Sequence, residues 1–176
     1  HTPTQVPDRF FDAFRVKGLD DRLSAVYGMC RNIDENFGRL LAALDRLQIR
    51  DKTLVLFTTD NGAAEPASAT GEGRYNAGMR GYKTSVHEGG TRVPLFVQGP
   101  GVASAGRTVR QPAAHIDLFP TLLDLCGVER PLGPAIDGLS LVPWLQGKEE
   151  IQDRRIFIMT NQAVPARPFP GAVRTH

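Results

Sequence analysis

Cysteine is scarce: Cys30 and Cys126 are the only two in 176 residues, with no Cys-x-x-Cys and no matching His pair. A disulfide framework and a structural zinc site are excluded on that count. Charge of one sign is lacking too, since 21 Lys and Arg face 19 Asp and Glu, a net charge of +2. No basic run interleaved with aromatics occurs, so no nucleic-acid partner is expected. No apolar run is long enough to span a membrane. Asn-x-Ser/Thr sites, internal repeats and low-complexity tracts are absent. What remains is an ordinary globular composition, 41% hydrophobic and 23% charged, at a length that allows one domain.

The chain alternates helix and strand patterns, which argues for an α/β layered domain. Residues 1–18 are Pro-rich at first, with Phe10, Phe11 and Phe14 packing a short helix or turn. A long helix is predicted over 20–47. Leu23, Tyr27, Cys30, Ile33, Phe37, Leu40, Leu41 and Leu44 recur at three- and four-residue steps, and Asp20 or Asp21 is placed to cap it. Cys30 on this face and Cys126 at the end of a later apolar helix read as small core residues, with Gly127 as a helix stop. Residues 92–98 and 156–160 read as further strands, Pro94 marking an edge or bulge. Residues 115–125 form an amphipathic helix expected to be broken near Pro120. The stretches 63–79 and 162–170 are loops, the first long enough to suggest a function.

One stretch carries the chemistry. The run Thr53-Leu54-Val55-Leu56-Phe57-Thr58-Thr59 stops abruptly at Asp60-Asn61-Gly62. Such a run bounded by a turn signal reads as a buried strand. Ligands of open α/β sheets bind at carboxyl ends of strands. Asp60 and Asn61 offer side-chain oxygens there, the donors that hard cations prefer, although Asp-Asn-Gly is also simply a good turn. A second polar cluster follows, Arg80-Gly81-Tyr82-Lys83 through Glu88-Gly89-Gly90.

Taken together, TLVLFTTDNG and MRGYKTSVHEGGTRVPLFVQGPG resemble the sulfatase family, in which a strand ending in Asp-Asn-Gly precedes Arg-Gly-x-Lys…Glu-Gly-Gly-x-Arg-Val-Pro. HTPTQVPDRF is similar to the family's His-x-Pro-x-Gln-x-Pro segment. AVYGMCRNIDENFGRLLAALDRLQIRDKT, HIDLFPTLLDLCGV, AIDGLSLVPWLQGK and GAVRT resemble later family elements in the same order. The resemblance runs from His1 to about Arg174. It implies an alkaline-phosphatase-like fold, a layered sheet flanked by helices, of which residues 1–176 are expected to be an incomplete portion of the catalytic domain.

The resemblance also implies roles. Asp60 and Asn61 match the metal pair, with Ca²⁺ as the ion. Lys83 matches the lysine that touches the sulfate and the leaving oxygen, and His1 the histidine beside that oxygen. Glu88 is expected to hold the loop presenting Lys83, with His87 and Arg80 as structural neighbours. Arg74, Tyr75 and Asn76 are candidates for shaping substrate choice, the partner being a sulfated small molecule or sulfated glycan. His115 is expected to cap or pack. The family's nucleophile, a formylglycine made within Cys/Ser-x-Pro-x-Arg, has no counterpart in these residues, nor has the family's early paired aspartate. Cys126-Gly127-Val128-Glu129-Arg130 lacks the proline. Two other readings remain open. One is a phosphate mono- or diester hydrolase of the same superfamily, where His commonly follows the strand-end Asp. The other is a non-catalytic remnant.

Overall fold

A computed structural model of the chain describes residues 3–64, 74–103, 105–130, 132–148, 153–160 and 171–175. Cα packing divides it into two compact units. Of the described residues, the first comprises 3–53 with 74–75, the second 54–64 with those from 76 onward.

In the first unit, α1 (Asp8–Arg15) packs on α2 (Asp21–Arg46). The Asp20 side chain accepts the Leu23 N–H at 2.7 Å and so satisfies one orphan donor of the first turn. Phe10, Leu23 and Ala25 form the buried contact, and Phe14 meets Tyr27 with ring centroids 5.7 Å apart. The Arg15–Asp21 ion pair, 2.9 Å, closes the link between the helices. The predicted apolar stripe of α2 is present but only its start is fully buried, Phe37, Leu41 and Leu44 being half-buried. Ile33 is 54% and Leu40 51% exposed, and Cys30 is exposed rather than core. The reason is length: eight helical residues reach only about 12 Å along a partner of roughly 39 Å, so α1 shields the first turns alone. A 3-10 turn, Arg50–Lys52, ends the unit.

The second unit opens with β1 (Val55–Thr58), which is followed by the single-turn α3 (Glu88–Thr91) and by β2 (Leu95–Gln98). β1 and β2 pair antiparallel, Val55 opposite Gln98 and Thr58 opposite Leu95. Phe57 and Phe96 face each other across the ladder at 6.4 Å. β1 is half-buried along its length rather than buried, because the described sheet has two strands and each therefore keeps an open edge. Pro94 lies just before β2, where its missing N–H costs no ladder bond.

A 3-10 turn, His115–Asp117, leads into α4 (Leu118–Cys126). Pro120 does not break this helix. It sits in the first turn, whose N–H groups have no partners within the helix. Gly127 caps the end in the left-handed region, φ 63°. Cys126 is exposed, not core, because the last helical turn projects its side chain away from the packed face. The remaining elements are α5 (Val142–Leu145), β3 (Ile156–Met159) and β4 (Gly171–Arg174). β3 and β4 form a second antiparallel pair. Leu141 and Trp144 are buried in this unit. Among the described residues no helix is long and apolar enough to cross a membrane.

Candidate active site

The β1 run ends where Thr59 and Asp60 turn outward, and the next peptides are pinned. The Asp60 Oδ1 accepts the Asn61 N–H at 3.0 Å. Thr59 Oγ1 donates to the Asn61 carbonyl at 3.3 Å, and the Gly62 N–H donates to the Gly90 carbonyl at 2.9 Å. Asp60 is exposed and Asn61 half-buried, so both can reach a ligand from a fixed backbone.

The segment that follows residue 76 folds onto this turn. The Lys83 N–H donates to the Ala63 carbonyl at 2.8 Å, and the Gly89 N–H to the Arg80 carbonyl at 2.8 Å. The lysine backbone is thereby laid beside the residues that follow Asp60 and Asn61, with its side chain exposed. Close packing of glycines makes this possible. A Cβ on Gly62 would lie 1.9 Å from the Gly89 carbonyl oxygen, and one on Gly89 would lie 2.1 Å from that of Gly81.

Glu88 ties the lysine loop to β4. Its carboxylate accepts from Arg174 at 2.5 Å and lies 3.5 Å from Arg92. The Arg174 hydrogen bond and charge, with Arg92 in support, hold this carboxyl below the ordinary value of 4.5. A depressed carboxylate stabilises the fold above its unfolded value and loses that contribution as pH falls through the folded one. Glu88→Gln is therefore expected to shrink the loss of stability seen on acidifying below about 4.5, as read by urea melts on either side of that pH. Equal pH slopes in the two proteins would contradict the tie.

Backbone strain sits next to the lysine. Thr84 has φ 73°, a region that a β-branched side chain seldom occupies. Thr84→Gly is expected to raise stability by about 1 kcal/mol, since glycine removes the left-handed penalty, and a thermal melt measures it. A fall in melting temperature would contradict the strain.

The other predicted residues are placed unequally. His1 lies outside the described residues, as do positions 65–73 of the loop expected to shape substrate choice. Tyr75 is exposed in the first unit, its N–H donating to Tyr27 Oη at 2.9 Å, while Arg74 there is half-buried. Asn76 is buried in the second unit and its amide donates to the carbonyls of Met79 and Gly81 at 2.8 and 3.0 Å, bracing the lysine loop from inside. His87 is exposed.

Two features escaped the sequence reading. His115 does not merely pack: its Nε2 lies 2.7 Å from the Thr59 carbonyl oxygen, one residue before Asp60. Asp117 and Arg154 form a buried two-pronged ion pair, both contacts 2.6 Å. Asp117 is at the N-terminal side of a predicted helix, a faint local signal for a bonded carboxylate. Nothing local announces an arginine 37 residues away.

The turn offers a carboxylate and an amide oxygen, with neither sulfur nor imidazole in the pair, and that donor set fits a hard cation. Two donors do not complete a shell of six to eight. Among the described residues no group of three or more His, Cys, Asp and Glu gathers as a ready metal cluster.

The chain is thus a mixed α/β fold in which a strand-end turn with two oxygen donors meets a lysine-bearing loop. A family model described as Sulfatase matches residues 1–128, and the chain belongs to the sulfatase family. It is 39% identical over 155 residues to human steryl-sulfatase, covering 86% of this chain and 26% of that protein. It is 42% identical over 128 residues to human N-acetylgalactosamine-6-sulfatase, covering 72% of this chain and 24% of the relative. The chain thus spans about a quarter of the length of these curated relatives. Among solved structures it is similar to Ps i-CgsB, with TM-score 0.81, 28% identity, and coverage of 100% of this chain and 37% of that one. A structure described as bound to its substrate D-glucosamine-2-N,6-O-disulfate gives TM-score 0.68 at 25% identity, covering 88% of this chain and 30% of its own. The alkaline-phosphatase-like sulfatase fold expected from the sequence is the fold these neighbours share.

Proposed function

We propose that this chain is the part of a sulfuric-ester hydrolase that holds the sulfate group and assists its departure, with Ca²⁺ bound at Asp60 and Asn61. The observation that carries this is the Lys83 N–H to Ala63 carbonyl bond of 2.8 Å, which lays the lysine loop on the turn bearing both oxygen donors. When bound there, Ca²⁺ supplies Lewis-acid polarisation of a sulfate oxygen. The Lys83 ammonium, a compact charge on a flexible stem, suits a tetrahedral anion and its leaving oxygen. His1 takes the role of proton donor to that oxygen, the imidazole being able to hold or release a proton near neutral pH. The nucleophile at sulfur comes from a Cys- or Ser-derived formylglycine that these 176 residues do not contain. Substrates are proposed to be sulfated glycans or small sulfate esters. Sulfated-glycan recognition finds support in the solved neighbours, one described in complex with k-i-k-neocarrahexaose and one with a glucosamine disulfate.

Calorimetric titration with Ca²⁺ and with Zn²⁺ tests the assignment. Weak Ca²⁺ binding, abolished by Asp60→Ala and reduced at least tenfold by Asn61→Ala, is the expected outcome, since an oxygen that would touch the ion is lost each time. Preference for Zn²⁺ at the same residues would favour phosphate esters instead, because softer ions are the ones that imidazole-rich relatives hold. The chain alone is expected to release no product from an aryl sulfate. Turnover that Lys83→Ala abolished would contradict the missing nucleophile.

A further inference from the structure

We propose that His115 is a positioning residue for the cation at Asp60 and Asn61, acting through the Thr59 carbonyl; this rests on the metal reading above. Five contacts fix the turn. Four arise locally or from Gly90, one of them from Thr58 Oγ1, which donates to the Thr59 carbonyl at 3.4 Å. The fifth reaches in from His115, 56 positions along the chain, and is the shortest of them at 2.7 Å.

The oxygen of Thr59 can only accept, so Nε2 carries the hydrogen and donates. That carbonyl shares one rigid peptide plane with the Asp60 N–H. Fixing the oxygen therefore fixes the plane on which the Asp60 Cα hangs, and with it the direction in which the carboxylate leaves the strand. The Thr58 hydroxyl holds the same oxygen only at 3.4 Å, and Thr59 and Asp60 are exposed, so without His115 water would compete for this carbonyl and let the plane rock.

His115 is itself firmly placed. It opens the 3-10 turn whose next-but-one residue, Asp117, is fully buried and accepts the Ala114 N–H at 2.7 Å. The ion pair of Asp117 with Arg154 anchors the same turn. A rigid donor on one segment thus orients a ligand on another. Groups that orient metal ligands from outside the coordination shell typically change affinity by about 10–100-fold when removed.

The test is a Ca²⁺ titration of the full chain, followed through the Asp60 and Asn61 amide resonances, in wild type and in His115→Ala, His115→Gln and His115→Asn. Glutamine carries an amide N–H at nearly the reach of Nε2, whereas asparagine stops short. In His115→Ala both resonances are expected to move before Ca²⁺ is added, and the Kd to rise about tenfold or more. His115→Gln should restore both, while His115→Asn should resemble alanine. Unmoved resonances with a Kd within twofold of wild type in His115→Ala would overturn the positioning role. Should the alanine variant fail to fold, the contrast between glutamine and asparagine decides, and equal affinities in those two would overturn it. Ca²⁺ that shifts neither resonance in wild type would instead remove the metal reading, and the proposal with it; that failure is visible without any variant.

Discussion

Arg154→Ala is expected to cost the second unit about 3–5 kcal/mol, the usual penalty for leaving a buried charge without its partner. Asp117 is 0% and Arg154 8% exposed in their side chains, and both oxygens are engaged at 2.6 Å. The carboxylate does more than balance charge. It accepts the N–H groups of Ala114 and Leu139 at 2.7 and 2.9 Å. Its own backbone carbonyl accepts from Thr121 Oγ1, which in turn accepts the Leu141 N–H at 2.8 Å. Asp117 therefore joins the start of α4, the segment entering α5 and, through Arg154, the segment leading into β3. Asp117→Ala is expected to cost more than Arg154→Ala, because two backbone donors lose their acceptor as well, at about 1–3 kcal/mol each. Trp144, the single tryptophan, is 4% exposed in the same unit and reports unfolding by fluorescence during a urea titration. A loss below about 1 kcal/mol for Arg154→Ala would show the pair to be worth no more than a surface bridge.

Gly62→Ala is expected to be the most damaging single-methyl change near the candidate site. The added carbon would lie 1.9 Å from the Gly89 oxygen and 2.8 Å from both the Gly89 carbon and the Gly90 Cα. All three are backbone atoms, so no side chain can swing aside, and the two loops must separate. Separation breaks the Gly62 N–H to Gly90 carbonyl bond and draws the Lys83 loop from the turn. Overpacking of this kind costs roughly 1–3 kcal/mol, occasionally more. Gly133→Ala serves as the comparison, since nothing lies within 4 Å of its added carbon. Gly62→Ala should lower the melting temperature while Gly133→Ala leaves it near wild type. Equal melts would mean that the turn and the lysine loop are not in the close contact described.

Local chemistry explains which parts of this fold could be read from the chain. The long helix was legible nearly to the residue, because its apolar steps are regular and Asp20 caps it, and Gly127 announced the stop of α4 in the same way. The depth of burial was not legible. Leu23 and Leu40 look alike in the pattern, yet only Leu23 is covered, since coverage depends on the length of α1. Strand existence came from the β-branched runs, but periodicity holds no information on direction, and the antiparallel pairing of β1 with β2 had to be observed. At the candidate site the acid, amide and lysine are expectations from their order in the family pattern, and the structure adds the backbone bond that brings the lysine loop to the turn. His115 was not legible, because its contact with Thr59 is a matter of tertiary distance, nor was the Asp117–Arg154 pair, for the same reason.

The most direct measurement is paramagnetic relaxation with Mn²⁺ in place of Ca²⁺, read at Asp60, Asn61 and the Lys83 Cε. Oxygen-rich sites accept Mn²⁺ readily, and the ion broadens what lies near it. Enhancement at Lys83 Cε comparable with that at Asn61 Cβ is the expected result, one site shared by the strand-end oxygens and the ammonium. A Lys83 signal left sharp while Asp60 and Asn61 vanish would contradict it.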